Sequence, residues 1–284
     1  NVVIGDNGEA NFTLTQLTSV NTTDDSDATG AADIITLGNG ENYIVGGAGG
    51  DAITTGNGRD FVIGDHGAMT FTAAGVITQA SSKLAGQGGD DIINLSTGSA
   101  VVIAGMGSDT VTTSGDADDY VLGDHGEITW TTAGVIQSMT SDETAKGLGG
   151  NDTLSLADGD HWVIGGFGVD TILAGNGNDI VLGDNGQATF NPVGILTRFE
   201  STDTDDTTGA GDIINLGDGN TDIIGGAGSD DIDTGAGIDR VLGDHGAIDY
   251  YDDGTVKKLQ STLSDYGAND FIDLSTGETF CNCG

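Results

Sequence analysis

Residues 46–67 read GGAGGDAITTGNGRDFVIGDHG, and the fold can be predicted from this stretch. It holds two nine-residue units, each with a Gly-rich turn, an aspartate at the sixth position (Asp51, Asp60) and an aliphatic residue two positions later (Ile53, Val62). Glycines provide the positive φ angles of tight turns, and β-branched residues suit strands. A six-residue turn followed by a three-residue strand, with its middle residue inward, forms half of a flattened coil.

The nine-residue unit recurs along the chain. Two units close one turn of a parallel β-solenoid, and the inward residues of successive turns form its core. The predicted core residues are Ile, Val or Leu in every unit: Ile35, Ile44, Ile53 and Val62; Ile93, Val102, Val111 and Val121; Leu154, Val163, Ile172 and Val181; Ile214, Ile223, Ile232 and Val241.

A longer repeat contains these units. The string VIGDNG at 3–8 returns four times with small changes, and its aspartates are 59 or 60 residues apart: Asp6, Asp65, Asp124, Asp184 and Asp244. We therefore divide a single continuous solenoid, 1–284, into repeats at about 5–63, 64–122, 123–182 and 183–242 and a partial repeat, 243–284. The sequence starts and stops within a coil, which predicts a piece of a longer array or a fibre subunit.

Each repeat has an insertion after the GDHG-type turn. The insertions AMTFTAAGVITQA (68–80) and EITWTTAGVIQSM (127–139) read as strand, Gly-containing turn and strand. The insertion is either a hairpin arm that projects from the solenoid or a third, wider coil. The register of the GDHG aspartates favours the third coil, and three coils would advance the solenoid by roughly 14 Å per repeat.

The charge of the chain points to a metal requirement. It has 45 acidic and 7 basic residues, a formal net charge of −38, which opposes compaction and repels nucleic acid and anionic membranes. Sodium would only screen the carboxylates, whereas Ca²⁺ binds carboxylate and turn carbonyl oxygens directly. We expect bound calcium and an extracellular, secreted location, where calcium is abundant. With no long apolar stretch and no signal peptide, no membrane span is expected.

Several units also match a known calcium-binding motif. GGAGGDAIT (46–54), GGFGVDTIL (165–173) and GGAGSDDID (225–233) fit G-G-x-G-x-D-x-U-x at every fixed position, and AGMGSDTVT (104–112) departs only at the first. Here the chain resembles RTX proteins, whose nonapeptide repeats bind calcium. The resemblance implies an all-β, right-handed parallel β-roll in a large secreted bacterial adhesin or surface protein. It also implies calcium ions held between successive turns by turn carbonyls and sixth-position aspartates.

The candidate ligands divide between the two edges of the coil. The first edge has a carboxylate at every coil: Asp33, Asp51, Asp65, Asp91, Asp109, Asp124, Asp152, Asp170, Asp184, Asp212, Asp230, Asp244 and Asp270. The second edge alternates Asp60, Asp119, Asp179 and Asp239 with Asn42, Ala100, His161 and Thr221. We predict a nearly continuous row of calcium ions on the first edge. The second row should be sparse or vacant, because an ion there would lack one of its two aspartates.

Three other features have structural interpretations. His66, His125 and His245 occupy a repeat position that is elsewhere Asn, so we expect residues that tolerate left-handed turn geometry. Cys281 falls at a core position, where a thiol packs as a small hydrophobe; Cys283 is either an inert tail residue or forms an intermolecular disulfide. Outward strand residues form an apolar stripe, which long loops cover or which contacts another chain or ligand: Tyr43, Phe61, Val101, Tyr120, Trp162 and Ile180.

These patterns favour a structural protein over an enzyme. No H-E-x-x-H, G-x-S-x-G or phosphate loop is present, and a regular row of carboxylates gives none a distinct environment. We expect an extracellular rod that stiffens on binding calcium and that associates end to end or through the stripe. One alternative is an RTX secretion and folding module of an enzyme or toxin. Another is ice binding, which needs a flat Thr or Asn array; the third turn position is mixed (Ala48, Asn57, Met106, Phe167, Ala227).

Overall fold

A computed structural model describes residues 1–23, 30–84, 86–142, 147–204, 209–263, 267–275 and 277–282. These residues form 29 β-strands in three long sheets. They include no helix, and so no helical segment long and apolar enough to cross a membrane.

Two of the sheets are parallel. The middle sheet consists of β1 (Val2–Ile4), β5 (Asn42–Val45), β7 (Asp60–Ile63), β11 (Ala100–Ile103), β13 (Tyr120–Leu122), β17 (Trp162–Ile164), β19 (Ile180–Leu182), β23 (Asp222–Ile224), β25 (Gly237–Leu242) and β29 (Gly277–Asn282). The outer sheet consists of β4 (Ile34–Thr36), β6 (Ala52–Thr54), β10 (Ile92–Thr97), β12 (Thr110–Ser114), β16 (Thr153–Ser155), β18 (Thr171–Ala174), β22 (Ile213–Leu216), β24 (Asp231–Thr234) and β28 (Phe271–Leu274).

The third sheet is antiparallel and is built only from hairpins, so we call it the hairpin sheet. Its strands, in order, are β2 (Gly8–Phe12), β3 (Leu17–Thr22), β8 (Gly67–Phe71), β9 (Ile77–Ser82), β14 (Gly126–Trp130), β15 (Ile136–Ser141), β20 (Gly186–Phe190), β21 (Leu196–Ser201), β26 (Gly246–Tyr250) and β27 (Val256–Ser261). Consecutive hairpins pair with each other, for example Ala80 of β9 with Ile128 of β14.

The chain alternates between the outer and middle sheets, as the nine-residue period predicts. Equivalent residues of successive units pair in register, such as Ile35 with Ile53 and Ile44 with Val62. Every one of the predicted core residues is buried between these two sheets. An all-β chain with solenoid-like parallel sheets is therefore confirmed.

The insertion is a hairpin, and the third coil favoured by the sequence register is wrong. In each repeat, such as 64–122, the chain passes twice through the outer and middle sheets and once through a two-stranded hairpin. Each sheet therefore gains two strands per repeat. Strands lie about 4.8 Å apart, so all three sheets advance by about 9.6 Å per repeat instead of roughly 14 Å. This equality lets the hairpins stack into a continuous sheet.

The hairpin sheet covers the apolar stripe. Phe61 and Val101 are buried, and Tyr43 stacks on Phe61 with ring centroids 5.1 Å apart. Hairpin aromatics close over them, as the edge contact of Phe71 with Tyr43 at 4.9 Å shows. The hairpins thus lie flat against the middle sheet, whose two faces are both buried. The stripe is therefore an internal layer, and of the two alternatives the structure shows the first, in which long loops of the repeat cover it.

At one end of this layer the stripe becomes polar. Arg240 pairs through Nε with Oδ1 of the buried Asp222, and the Tyr250 hydroxyl donates to Asp222 Oδ2 at 2.7 Å. Burial and the negative charge of Asp222 raise the pKa of Tyr250, so its hydroxyl remains a donor. This partly buried ion pair replaces the aromatic contacts of the earlier repeats.

The histidines of the GDHG turns are buried, but not for the expected reason. Among the non-Gly residues of the described ranges, only Leu84 and Leu263 have a positive φ, so left-handed geometry does not explain histidine here. The carbonyl oxygen of His66 accepts from Lys83 N at 2.7 Å, and that of His125 accepts from Asp142 N at 2.8 Å. These bonds close the base of each hairpin.

The expected core thiol is also absent at the end of the chain. Cys281 pairs in register with the core residue Val241, but it is exposed and disulfide-bonded. Cys283 lies outside the described residues.

The layer between the middle and hairpin sheets can be tested by a matched pair of substitutions. Met139 points inward and is fully buried, whereas the adjacent Thr140 points outward. We expect Met139→Ala to lower the free energy of unfolding by about 2–5 kcal/mol, because it leaves a cavity. Thr140→Ala should change it by less than about 0.5 kcal/mol. Denaturant unfolding with calcium present measures both, and equal effects would contradict a packed layer.

Candidate metal-binding edges

The six-residue turns place an aspartate directly before each strand of the outer sheet. We call these residues the edge aspartates: Asp33, Asp51, Asp91, Asp109, Asp152, Asp170, Asp212, Asp230 and Asp270. All except Asp33 and Asp270 are buried. Each edge aspartate directly precedes a strand of the outer sheet, and neighbouring strands of this sheet pair in register. The edge aspartates therefore form a row along the first edge, with one aspartate per coil. A buried carboxylate needs a charge or hydrogen-bond partner.

One oxygen of each edge aspartate after Asp33 accepts a hydrogen bond from the backbone. Asp51 N donates to Asp91 Oδ1 at 2.6 Å, Asp91 N to Asp109 Oδ1 at 2.7 Å, and Asp152 N to Asp170 Oδ1 at 2.8 Å. The same bond joins the other neighbouring edge aspartates, from Asp33 to Asp270. The Oδ1 atoms therefore form a ladder that links each turn to the next.

The second oxygen has no such partner. Oδ2 of every edge aspartate is a buried atom without a hydrogen bond. Several of these oxygens face a carbonyl oxygen of the adjoining turn across a glycine: a Cβ at Gly46 would collide with both Asp51 Oδ2 and Gly64 O, and a Cβ at Gly183 with both Asp212 Oδ2 and Gly225 O. Two acceptors side by side repel each other unless a cation or a proton lies between them.

The electrostatics of the first edge reflect this arrangement. Burial raises the pKa of Asp91 to about 8 and that of Asp230 to about 8, and neighbouring carboxylates add to both. Burial likewise raises the pKa of Asp51 to about 7, although the hydrogen bond from Asp33 N opposes the rise. Burial and the adjacent Asp152 raise the pKa of Asp170 well above its usual range. The row thus has a high affinity for positive charge.

The predicted GDHG ligands have different surroundings. Asp65 Oδ1 accepts from Gly89 N at 3.0 Å, and its Oδ2 accepts from Met106 N. Asp124 accepts from Gly150 and Phe167 in the same way, and Asp184 from Ala210 and Ala227. Asp244 Oδ1 accepts from Ala268 N. Each of these carboxylates accepts a hydrogen bond from the segment that follows the hairpin. Asp65, Asp124 and Asp184 also accept one from the next Gly-rich turn.

The second edge is held by side-chain hydrogen bonds. Asp60 accepts from Asn42 Nδ2 at 2.6 Å and from Thr55 Oγ1 at 2.5 Å. Asp239 accepts from the hydroxyls of Thr221 at 3.0 Å and Thr234 at 2.9 Å. The residues that interrupt the aspartate row on this edge are therefore donors to the aspartates that remain.

The other two second-edge aspartates adjoin His161 or Ala100. Asp119 Oδ1 accepts from Ala100 N at 2.7 Å, and its Oδ2 lies 3.6 Å from Nδ1 of the buried His161. Asp179 Oδ1 accepts from His161 N at 3.0 Å. Asp179 Oδ2 lacks a hydrogen bond, the single such oxygen among the four second-edge aspartates.

The side chains alone do not complete a metal site. In the described ranges, no three His, Cys, Asp or Glu side chains are grouped so that they could hold one ion. A cation on the first edge would take carboxylate oxygens from at most two edge aspartates and its remaining ligands from turn carbonyls or water. The sequence identified the residues of this edge, but it did not distinguish the partnered oxygen from the unpartnered one.

Both kinds of first-edge aspartate lie in Gly-rich turns, so their sequence surroundings look alike. A usable signal was the residue spacing: each GDHG aspartate precedes a hairpin, whereas each edge aspartate precedes a strand of the outer sheet. Comparison of the chain with protein-family models, curated proteins and solved structures gives no match.

Proposed function

We propose that this protein is a calcium-binding structural rod, in which ions bound along the first edge join successive coils. The supporting observation is the row of buried, unpartnered Oδ2 atoms of the edge aspartates, several of which face turn carbonyls. The resemblance of the nonapeptides to those of RTX proteins points to the same cation. A right-handed β-roll, as that resemblance implies, is part of the proposal.

The donor set suits calcium better than other common cations. Ca²⁺ accepts about six to eight oxygens, including carbonyls, in variable geometry, whereas Mg²⁺ requires a near-octahedral set and keeps its water. Asp51, Asp91, Asp152, Asp170 and the other edge aspartates would hold the ions through Oδ2. When bound, calcium supplies the positive charge that separates adjacent acceptors and offsets part of the net charge of −38.

The two edges would have different roles. On the second edge, Asn42, Thr55, Thr221 and Thr234 already satisfy carboxylates by hydrogen bonds. We therefore propose few or no ions there, and a structural role for Asp60, Asp119 and Asp239. The GDHG aspartates Asp65, Asp124, Asp184 and Asp244 would act mainly as anchors for the returning chain, with calcium as a secondary partner.

Because calcium binding would be coupled to folding, the calcium concentration would determine where the protein is folded. Calcium binding to the folded chain stabilises it by mass action, so the rod forms where calcium is plentiful, outside the cell. A stiff, secreted spacer or adhesive element of a bacterial surface protein fits this behaviour. The same backbone hydrogen bond to Oδ1 recurs from coil to coil, and no single carboxylate is set apart as an acid or base, which favours a structural role over an enzymatic one.

A substitution at the centre of the row tests the calcium assignment. In Asp170→Asn, the amide keeps the acceptor for Asp152 N and offers Nδ2 to the carbonyl of Gly183 in place of a cation. We expect one or two fewer calcium ions per chain and a lower Tm in calcium than that of the wild type. Metal analysis of the protein dialysed against calcium buffer and thermal unfolding in calcium measure these quantities.

The matched control lies on the second edge. Asp239 is buried to a similar degree but has hydrogen bonds to both oxygens. Asp239→Asn should leave the number of calcium ions unchanged, although it lowers stability. Unchanged calcium content in Asp170→Asn, or an equal loss in the two variants, would overturn the assignment of the ions to the first edge.

A further inference from the structure

The outward face of the outer sheet is a regular surface that no other layer covers in the described structure. The middle residue of each strand points into the core, so the residues before and after it point outward in two rows. One row is Ile34, Ala52, Ile92, Thr110, Thr153, Thr171 and Ile213; the other is Thr36, Thr54, Asn94, Thr112, Ser155, Leu173 and Asn215.

Charge is excluded from this face. From β4 to β22 no outward position of either row is charged, in a chain with 45 acidic residues. Large apolar side chains are exposed instead, including Ile34 (86%), Ile92 (52%) and Ile213 (45%). Acidic residues return only on the last two strands, at Asp231, Asp233 and Asp273. Exposed apolar patches bordered by charge mark contact surfaces.

The variation in side-chain size decides between two occupants. A flat hydroxyl array would also suit ordered water, but that use requires similar residues at every strand. Here neighbouring positions differ as much as Ala52 and Ile92, and Leu173 follows Ser155. Two packed sheets, by contrast, interdigitate large and small side chains across a gap of about 10 Å. We propose that this face binds the same face of a second copy of the chain.

The acidic strands determine how the two copies are oriented. If the rods lay parallel, Asp231 and Asp233 of one copy would face their counterparts in the other, and like charges would repel. If the rods run antiparallel, a twofold axis along β12 places each uncharged strand opposite another uncharged strand. Ile92 then faces Thr153 and Leu173 faces Thr54, so a larger residue opposes a smaller one near the axis, while Ile34 meets Ile213 in an apolar contact at each end.

The size of the face indicates a weak interface. Seven strands about 4.8 Å apart, each presenting two outward residues, give roughly 400 Å² per copy, or about 800 Å² in total. Stable dimers usually bury about 1,200–2,000 Å² in total. Association is therefore expected at micromolar concentrations or above, in enough salt to screen the acidic edges.

Sedimentation velocity at about 10–200 µM protein, in calcium and physiological salt, tests the proposal. We expect a concentration-dependent monomer–dimer equilibrium. Ile92→Lys places an unpaired charge at the contact and should weaken association about tenfold or more. The control Thr129→Lys adds the same charge to the outward face of the hairpin sheet and should leave association unchanged. Circular dichroism verifies that both variants are folded.

Three other outcomes would distinguish the dimer from its alternatives. A wild-type monomer throughout this range, or dimers that Ile92→Lys does not weaken, would overturn the proposal. A monomer that produces thermal hysteresis in freezing solution would assign the face to ordered water and also overturn it. The inference does not depend on the location of the cations: a sample that is folded and dimeric without calcium would contradict the proposed function and leave the dimer intact.

Discussion

Removal of calcium at pH 7.5 should unfold this protein. We expect the β-sheet circular dichroism signal to disappear on addition of a chelator, and the radius of gyration to rise from about 20 Å to about 60 Å, the values for a compact and an unfolded chain of this length. Addition of millimolar calcium should restore both. Small-angle X-ray scattering and circular dichroism on the same samples measure the change.

The size of this effect follows from the first edge. The edge aspartates are stacked one per coil. In each of them, Oδ2 is buried and accepts no hydrogen bond from the protein. Buried, uncompensated charges cost several kcal/mol each, whereas a typical domain is stable by only about 5–15 kcal/mol. At neutral pH the free-energy cost of the buried carboxylates therefore exceeds the net stabilisation from the two apolar cores, unless a cation is bound.

Two controls separate calcium binding from charge screening. Magnesium at the same concentration, and sodium chloride at matched ionic strength, should not restore the signal, because neither replaces the carbonyl-rich shell that calcium accepts. A chelated sample that remains compact and as heat-resistant as the untreated protein would show that the edge carboxylates need no metal. The calcium proposal would then fail.

The core between the outer and middle sheets could be predicted from sequence because its rule is local. Each unit gives its own turn, its own aspartate and its own inward residue, as Asp51 and Ile53 do, so no knowledge of distant contacts is needed. The assignment of residues to the two edges follows from the same period. Neither result depends on how the insertions fold.

A hairpin was one of two alternatives for the insertion, and long loops were one of two for covering the stripe, but the joining of the hairpins into one sheet was not predicted, although a signal for a covering layer is present. Strands of the middle sheet are apolar at three consecutive positions, as in FVI (61–63) and VVI (101–103), whereas strands of the outer sheet include polar residues, as in AIT (52–54) and TVT (110–112). A parallel strand that is apolar throughout is buried on both faces. The middle sheet thus required a second covering layer, and the insertions were the segments long enough to form it.

The sequence marks each GDHG aspartate by the hairpin that follows it, but it does not show that the oxygens of this carboxylate are already hydrogen-bonded. Asp65 and Asp91 both occupy Gly-rich turns, yet Asp65 receives two backbone N–H groups from residues 24 and 41 positions away. Those donors come together only after the hairpin has folded back and the next coil has formed. A ligand assignment from spacing alone therefore includes anchors among the candidate metal ligands.

Acid should replace calcium in stabilising the fold. In the metal-free protein, a protonated Oδ2 can donate to the facing carbonyl, and the pKa values of Asp51, Asp91 and Asp230 are raised to about 7, 8 and 8. In the unfolded chain an aspartate has a pKa of about 3.9. Between about pH 4 and pH 8 the folded state therefore binds more protons, so its stability is greatest near pH 4 and falls as the pH rises.

The expected change is large because several edge aspartates titrate together. A tenfold difference in proton affinity is worth about 1.4 kcal/mol, and the pKa values of Asp51, Asp91 and Asp230 lie about three to four tenfold steps above the unfolded value, so each group accounts for several kcal/mol. Thermal unfolding in chelator should give a Tm that is highest near pH 4.5 and decreases as the pH rises, until no folded protein remains at pH 7.5. The calcium-loaded protein should show the opposite slope, because calcium binds the deprotonated carboxylates. A metal-free Tm that is constant or increases over this range would mean that the unpartnered oxygens do not take up protons on folding, and the facing acceptors would then need another explanation.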